Sequence, residues 1–112
     1  MPILNADYSD LSLDDMARSI GLKLKHMPIL IGSFLEESET IVESINSAIY
    51  TNDYLGIKSN AHSIKGSSAN LKFTEIYEMS KEMEHAAADS NADFDYRGYL
   101  EAMKSAIATI KS

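Results

Sequence analysis

Apolar residues in this chain recur every three or four positions over long stretches, and alternation with period two is nearly missing, so the chain reads as helical throughout. Residues 1–11 read as a loosely held lead-in. In "SLDDMARSIG", Ser12 stands as N-cap, Asp14 and Asp15 fall in the first turn, and Gly21 lies just past the end, which predicts a short helix. A second helix, about 25 residues long, is expected from near His26, with Pro28 in its first turn, where a missing N–H costs nothing. Its residues Ile31, Phe34, Ile41, Val42, Ile45 and Ile49 fall on one face, and "EESE", Glu36 to Glu39, is expected to face water. "TND" breaks the pattern and offers Asn52 or Asp53 as the next cap. In the third helix Ile57, Ala61, Ile64, Ser68 and Leu71 are spaced 4, 3, 4 and 3, a narrow core-facing seam. A fourth helix begins near Thr74 with Ile76, Met79, Met83 and Ala87 inward, and ends in the turn-forming "ADSNAD". The last runs from about Phe94 to Ile110 on Leu100, Met103, Ile107 and Ile110. Amphipathic helices joined by short connections pack most simply as an antiparallel up-and-down four-helix bundle. The expected fold is therefore all-α, a single domain over residues 12–112, with the short N-terminal helix capping one end.

The third helix carries an unusual strip, "AHSIKGSSANL", residues 61–71. Each residue turns a helix by about 100°, so His62 stands beside the buried seam, with Lys58, Lys65, Gly66 and Ala69 on its own stripe. A glycine within a helix costs roughly 1 kcal/mol relative to alanine and asks for a reason. Neutral imidazole is a competent nucleophile near neutral pH. If it takes a phosphoryl group, a lysine one turn away supplies opposing charge. Small residues at Gly66 and Ala69 would let another protein's active site settle flat on the ring. Taken singly, each residue also has an ordinary reading: a surface histidine, solvating lysines, a close helix approach.

Charge and composition narrow the choice. The 112 residues carry a formal net charge of −7, which argues against nonspecific nucleic-acid binding. Cysteine is absent, excluding thiolate chemistry and disulfides. Neither a membrane-spanning run nor a secretion signal is recognisable, so a soluble, cytoplasmic protein is expected. "EMEH", Glu82 to His85, gives one Glu-x-x-His element of the kind paired in di-metal bundles, but the second is missing, so no metal site is expected. "IKGSS" lacks the first glycine of a P-loop and follows no strand, so no ATP site and no kinase activity are expected.

"AHSIKGSSANL" resembles the signature of histidine phosphotransfer (HPt) domains, in which His-x-x-Lys-Gly-Ser lies on one helix of a four-helix bundle. "FLEESETIVESINSAIYTND" resembles the helix before the signature and "IYEMSKEMEHAA" the one after it, so the likeness covers roughly residues 12–110. The resemblance implies that His62 is the phospho-accepting residue, that Lys65 steadies the phosphoryl group and that Gly66 opens the docking surface. Ser67 would belong to the signature, and Glu84 would sit where the family commonly places Glu or Gln facing the histidine. Lys58, Ser67, Ala69 and Lys72 would then contribute to partner binding. Lys72 stands where the family usually has glycine, so the pattern departs at the turn into the fourth helix.

The implied function is a phosphocarrier, not an enzyme, relaying a phosphoryl group between His62 and the aspartate of response-regulator receiver domains. The implied partners are a receiver domain and/or a hybrid sensor histidine kinase, with no nucleic acid and no membrane, and a monomer is expected. No cofactor is expected in this chain, with Mg²⁺ on the partner receiver. The alternative is a receiver-binding or structural helical adaptor that takes no phosphate.

Overall fold

A computed structural model describes residues 5–110; residues 1–4 and 111–112, part of the lead-in and of the chain's end, lie outside the described residues. The helices are α1 (Leu13–Ile20), α2 (Met27–Tyr50), α3 (Tyr54–Asn70), α4 (Thr74–Ala88) and α5 (Tyr96–Ala108), with a 3-10 turn at Leu24–His26 leading into α2. No strand occurs among the described residues. Helix α2 packs on α3, α3 on α4, α4 on α5, and α5 closes the ring on α2, giving the expected four-helix bundle. It is elongated, 42 × 23 × 20 Å.

The helix starts follow from short side chains that accept backbone N–H groups left without a partner in the first turn. Ser12 accepts from Asp15, Asp53 from Gly56 and Asp95 from Gly98. Of the two caps proposed for α3, Asp53 is therefore the cap, and Asn52 turns into the left-handed region at φ 55°. Because Asp95 takes the cap, α5 begins at Tyr96 and not near Phe94 as the periodicity suggested.

The ends of α1 to α4 share one closure. In each, an N–H bonds the carbonyl five residues back: Leu22 to Ala17, Asp53 to Ala48, Phe73 to Ser68 and Asn91 to Ala86. The residue before each donor has positive φ: Gly21, Asn52, Lys72 and Ser90. This is the Schellman arrangement, which normally favours glycine at the left-handed position. Lys72, at φ 64°, forms the turn into α4 despite its side chain. A left-handed L-residue costs roughly 1–2 kcal/mol, so Lys72→Gly is expected to stabilise the domain by about 1 kcal/mol in thermal or urea unfolding.

The core holds the predicted seams of α3 and α4, including Ile57, Ala61, Ile64, Ile76, Met79 and Met83. The α2 reading needs correction. Ser38, placed with the water-facing "EESE", is 1% exposed, because it continues the inner run Phe34, Ser38, Ile41, Ile45. Its hydroxyl bonds back to the Leu35 carbonyl at 3.1 Å, as Ser68 does to Ile64 and Ser80 to Ile76, so these buried hydroxyls are satisfied within their own helices. Val42, Ile49 and Ile107, assigned to the core face, are only half-buried. Ala48 and Ala106 take the inner positions beside the last two.

The described part of the lead-in is tied down. The Tyr8 backbone N–H donates to Thr109 Oγ1 at 2.8 Å, and its hydroxyl donates to Glu75 at 2.8 Å. The Tyr8 ring meets Phe73 edge-on at 4.8 Å, and Phe34 lies 5.1 Å from Phe73 on another side. At the other end of the bundle Tyr54, Phe94, Tyr96 and Tyr99 form a second aromatic group. Burial and a hydrogen bond to Glu82 push the Tyr99 hydroxyl up to about 12. No helix among the described residues is long and apolar enough to cross a membrane.

Candidate functional site

The strip on α3 meets α4 at one carboxylate. Glu84, near the middle of α4, places Oε2 2.8 Å from His62 Nδ1 and Oε1 2.7 Å from Lys65 Nζ. The side chains differ sharply in exposure: 68% for His62, 23% for Lys65 and 13% for Glu84. The ring thus stands out from the bundle on a sunken carboxylate that a lysine covers from the side. Burial pushes the Glu84 carboxyl up, but the bonds and charges of Lys65 and His62 outweigh it and hold the group below its ordinary value.

An ionised Glu84 can only accept, so the hydrogen bond to Nδ1 requires Nδ1–H. In the neutral ring that fixes the tautomer and puts the lone pair on Nε2, the nitrogen away from the carboxylate. The carboxylate that orients the ring also holds the cation expected to greet a phosphoryl group. Sequence reasoning brought Lys65 and Glu84 separately to His62; the structure pairs them with each other as well.

Around the ring, the expected positions divide by exposure. Lys58, Gly66, Ala69 and Lys72 are exposed, Lys72 beyond the end of α3 at its left-handed turn. A Cβ built on Gly66 would meet nothing within 4 Å, so no neighbouring helix accounts for this glycine. Ser67 is half-buried and turned toward α2, where its hydroxyl lies within reach of the Glu37 carboxylate and of the Ser63 carbonyl at 3.1 Å. Its single proton serves one of the two.

Sequence reasoning overlooked Glu37, whose place in "EESE" suggested only solvation. Leu55 was also overlooked: it is 75% exposed and lies seven residues before His62, hence on the same stripe of α3. That spacing was the signal that could have found it. Glu82, part of the single Glu-x-x-His element, accepts from the Tyr99 hydroxyl at 3.0 Å. Among the described residues no three His, Cys, Asp or Glu side chains gather into a group able to hold a metal ion.

Fold and site together define a four-helix bundle that presents on its surface an imidazole oriented by a carboxylate from the next helix. A protein-family model described as Hpt domain matches residues 29–111, most of the chain, and the chain belongs to that family. The match takes in α2 from Ile29 onward and α3 to α5 with the whole strip, and leaves α1 outside it. Comparison with curated proteins and with solved structures returned no match. Hpt domains serve phosphotransfer in two-component relays, as phosphocarriers that meet receiver domains and kinases.

Proposed function

We propose that Nε2 of His62 accepts a phosphoryl group from the aspartyl phosphate of a receiver domain and returns it to one. The observation that carries this reading is the pairing of Nδ1 with Glu84 in a ring that is 68% exposed. A bonded Nδ1–H makes Nε2 the nucleophile, and exposure gives phosphorus an open line of approach. Phosphoryl transfer asks mainly for in-line positioning and charge compensation. The chain supplies the nucleophile and the landing surface; the receiver would supply its aspartate and Mg²⁺.

Gly66 and Ala69 leave the surface beside the ring low, and Lys58 with Lys72 adds positive charge along it. Such a contact suits an acidic receiver pocket and transient binding by a monomer. Lys65 is less available than Lys58, because Glu84 already holds it. A partner of this kind places the proposed exchange in the cytoplasm.

The test is incubation with a phosphorylated receiver and detection of acid-labile label. The wild-type chain is expected to take up label and His62→Gln to take up none. Label persisting in that variant would place the acceptor elsewhere, and receiver binding without label would make the chain an adaptor.

A further inference from the structure

The bundle has a second concave surface, on the edge opposite the strip. His62, Lys65 and Glu84 lie where α3 meets α4, and α2 meets α5 across the ring from them. Between α2 and α5 runs an open groove of about 560 Å³. Leu35, Val42, Ile107 and Ile110 give it an apolar floor. Ser38 adds no free polar group there, because its hydroxyl is turned to the Leu35 carbonyl. Leu35, Val42 and Ile107 are half-buried: they pack on the core and still reach the groove. Arg97 closes one end by donating to Asn46 across the two helices at 3.1 Å. From Leu35 to Asn46 the groove follows α2 for ~16 Å, about three helical turns.

The two walls carry opposite charge. On α2, Glu39 and Glu43 stand exposed one turn apart, and neither pairs with a cation among the described residues. Like charges at that spacing repel within a helix, so the pair weakens α2 unless a cation from outside answers it. Seven and eleven residues before them on the same stripe lies Gly32, where a Cβ would meet nothing within 4 Å. The α2 wall therefore falls away at the end remote from Arg97. On α5, Lys104 stands exposed, its ammonium 3.6 Å from Glu101 of its own helix, beyond hydrogen-bonding distance.

We infer that this groove docks an amphipathic helix of a partner protein, one with an apolar stripe and a lysine- or arginine-bearing flank. Apolar side chains repeating every three or four residues over about three turns match the floor in length and direction. The basic flank meets Glu39 and Glu43, and Lys104 repels a second one, so the walls fix which way round the helix lies. A second copy of this chain does not supply such a helix. Its exposed large apolar side chains among the described residues are Leu22, Leu24 and Ile29 at one end of α2 and Tyr50 and Leu55 at the other, which form no three-turn stripe. Occupying the groove leaves His62 open, so the domain is held by one edge while the other exchanges phosphate.

The probe is a synthetic helical peptide with leucine along one face, lysine along one flank and glutamine elsewhere. A matched peptide carries glutamate in place of lysine. Each is titrated into the isotope-labelled full chain and followed by amide NMR. The lysine peptide is expected to bind saturably, one to one, with shifts confined to α2 and α5 around Val42 and Ile107, and the glutamate peptide not to bind. Glu39→Lys combined with Glu43→Lys keeps long, exposed, helix-forming side chains at both positions. It is expected to weaken the lysine peptide on the order of tenfold or more, at unchanged thermal stability. A phosphorylated receiver is expected to label His62 equally fast in the double variant and with the peptide bound. Absent binding, equal affinity for the two peptides, shifts centred on α3 and α4, or self-association of the chain through the groove amides overturns the inference. A wild-type chain that takes no label overturns the proposed function instead and leaves the peptide result standing.

Discussion

Gly66→Arg is expected to lower the rate of phosphoryl transfer by a hundredfold or more while leaving the bundle as stable as before, or more so. Gly66 is exposed and helical, and nothing lies within 4 Å of where its Cβ would stand. Within the molecule a side chain is therefore free, and the helix gains: arginine is a better helix former than glycine by roughly 0.5–1 kcal/mol. Between molecules the same side chain falls one turn from His62 and occupies the volume a receiver must enter. Transfer depends on near-contact alignment of nucleophile and phosphorus, which small displacements disrupt heavily. Gly66→Ala should raise stability with a smaller transfer defect. Thermal unfolding and single-turnover transfer, measured on the same preparations, check both halves. A stabilised variant that transfers at the wild-type rate would remove the clearance argument.

Phe73→Ala is expected to cost about 3–5 kcal/mol in urea or thermal unfolding, the range seen when buried aromatic rings are truncated. Phe73 is 1% exposed and sits just after the left-handed Lys72, its N–H closing the end of α3. Its ring joins Phe34 of α2 to Tyr8 of the N-terminal segment. The ring pairs add their own contribution, about 0.5–1.5 kcal/mol each. Against the ~5–15 kcal/mol that holds a typical domain together, this single truncation removes a large share. Lys72→Gly changes the neighbouring residue in the stabilising direction, so the two substitutions show separately what the backbone and the ring contribute at this corner.

The helices were legible because each element carries both a period and an end signal. Ser12 and Gly21 bracket α1 as the sequence suggested, and the seam of α3 is buried. What escaped was phase within a helix and contact between helices. "EESE" looks like one solvated block, yet the period drives Ser38 inward while the glutamates on either side stay in water. At Ile107 the run of large apolar residues pointed inward, but Ala106 holds the buried position. Tyr8 could not be assigned to Thr109 and Glu75, because hydrogen bonds across 101 and 67 residues leave no local pattern.

The candidate site divides along the same line. His62, Lys65 and Gly66 share one helix, so spacing alone groups them. Glu84 comes from the next helix, and its approach to His62 followed from family likeness, not from the residues themselves. That likeness did not indicate the carboxylate's other contact. Helical phase puts His62 and Lys65 on one side of α3, but only the depth of Glu84 between the helices lets one side chain serve both.

Tyr8 brings the two ends of the described chain together, its backbone N–H 2.8 Å from the Thr109 hydroxyl. A short flexible bridge could therefore join the ends, and new ones could be opened at the exposed Ala92, beyond the Asn91 N–H that closes α4. The same closeness makes the bundle suited to insertion within a longer polypeptide: a host chain could enter and leave at nearly one point.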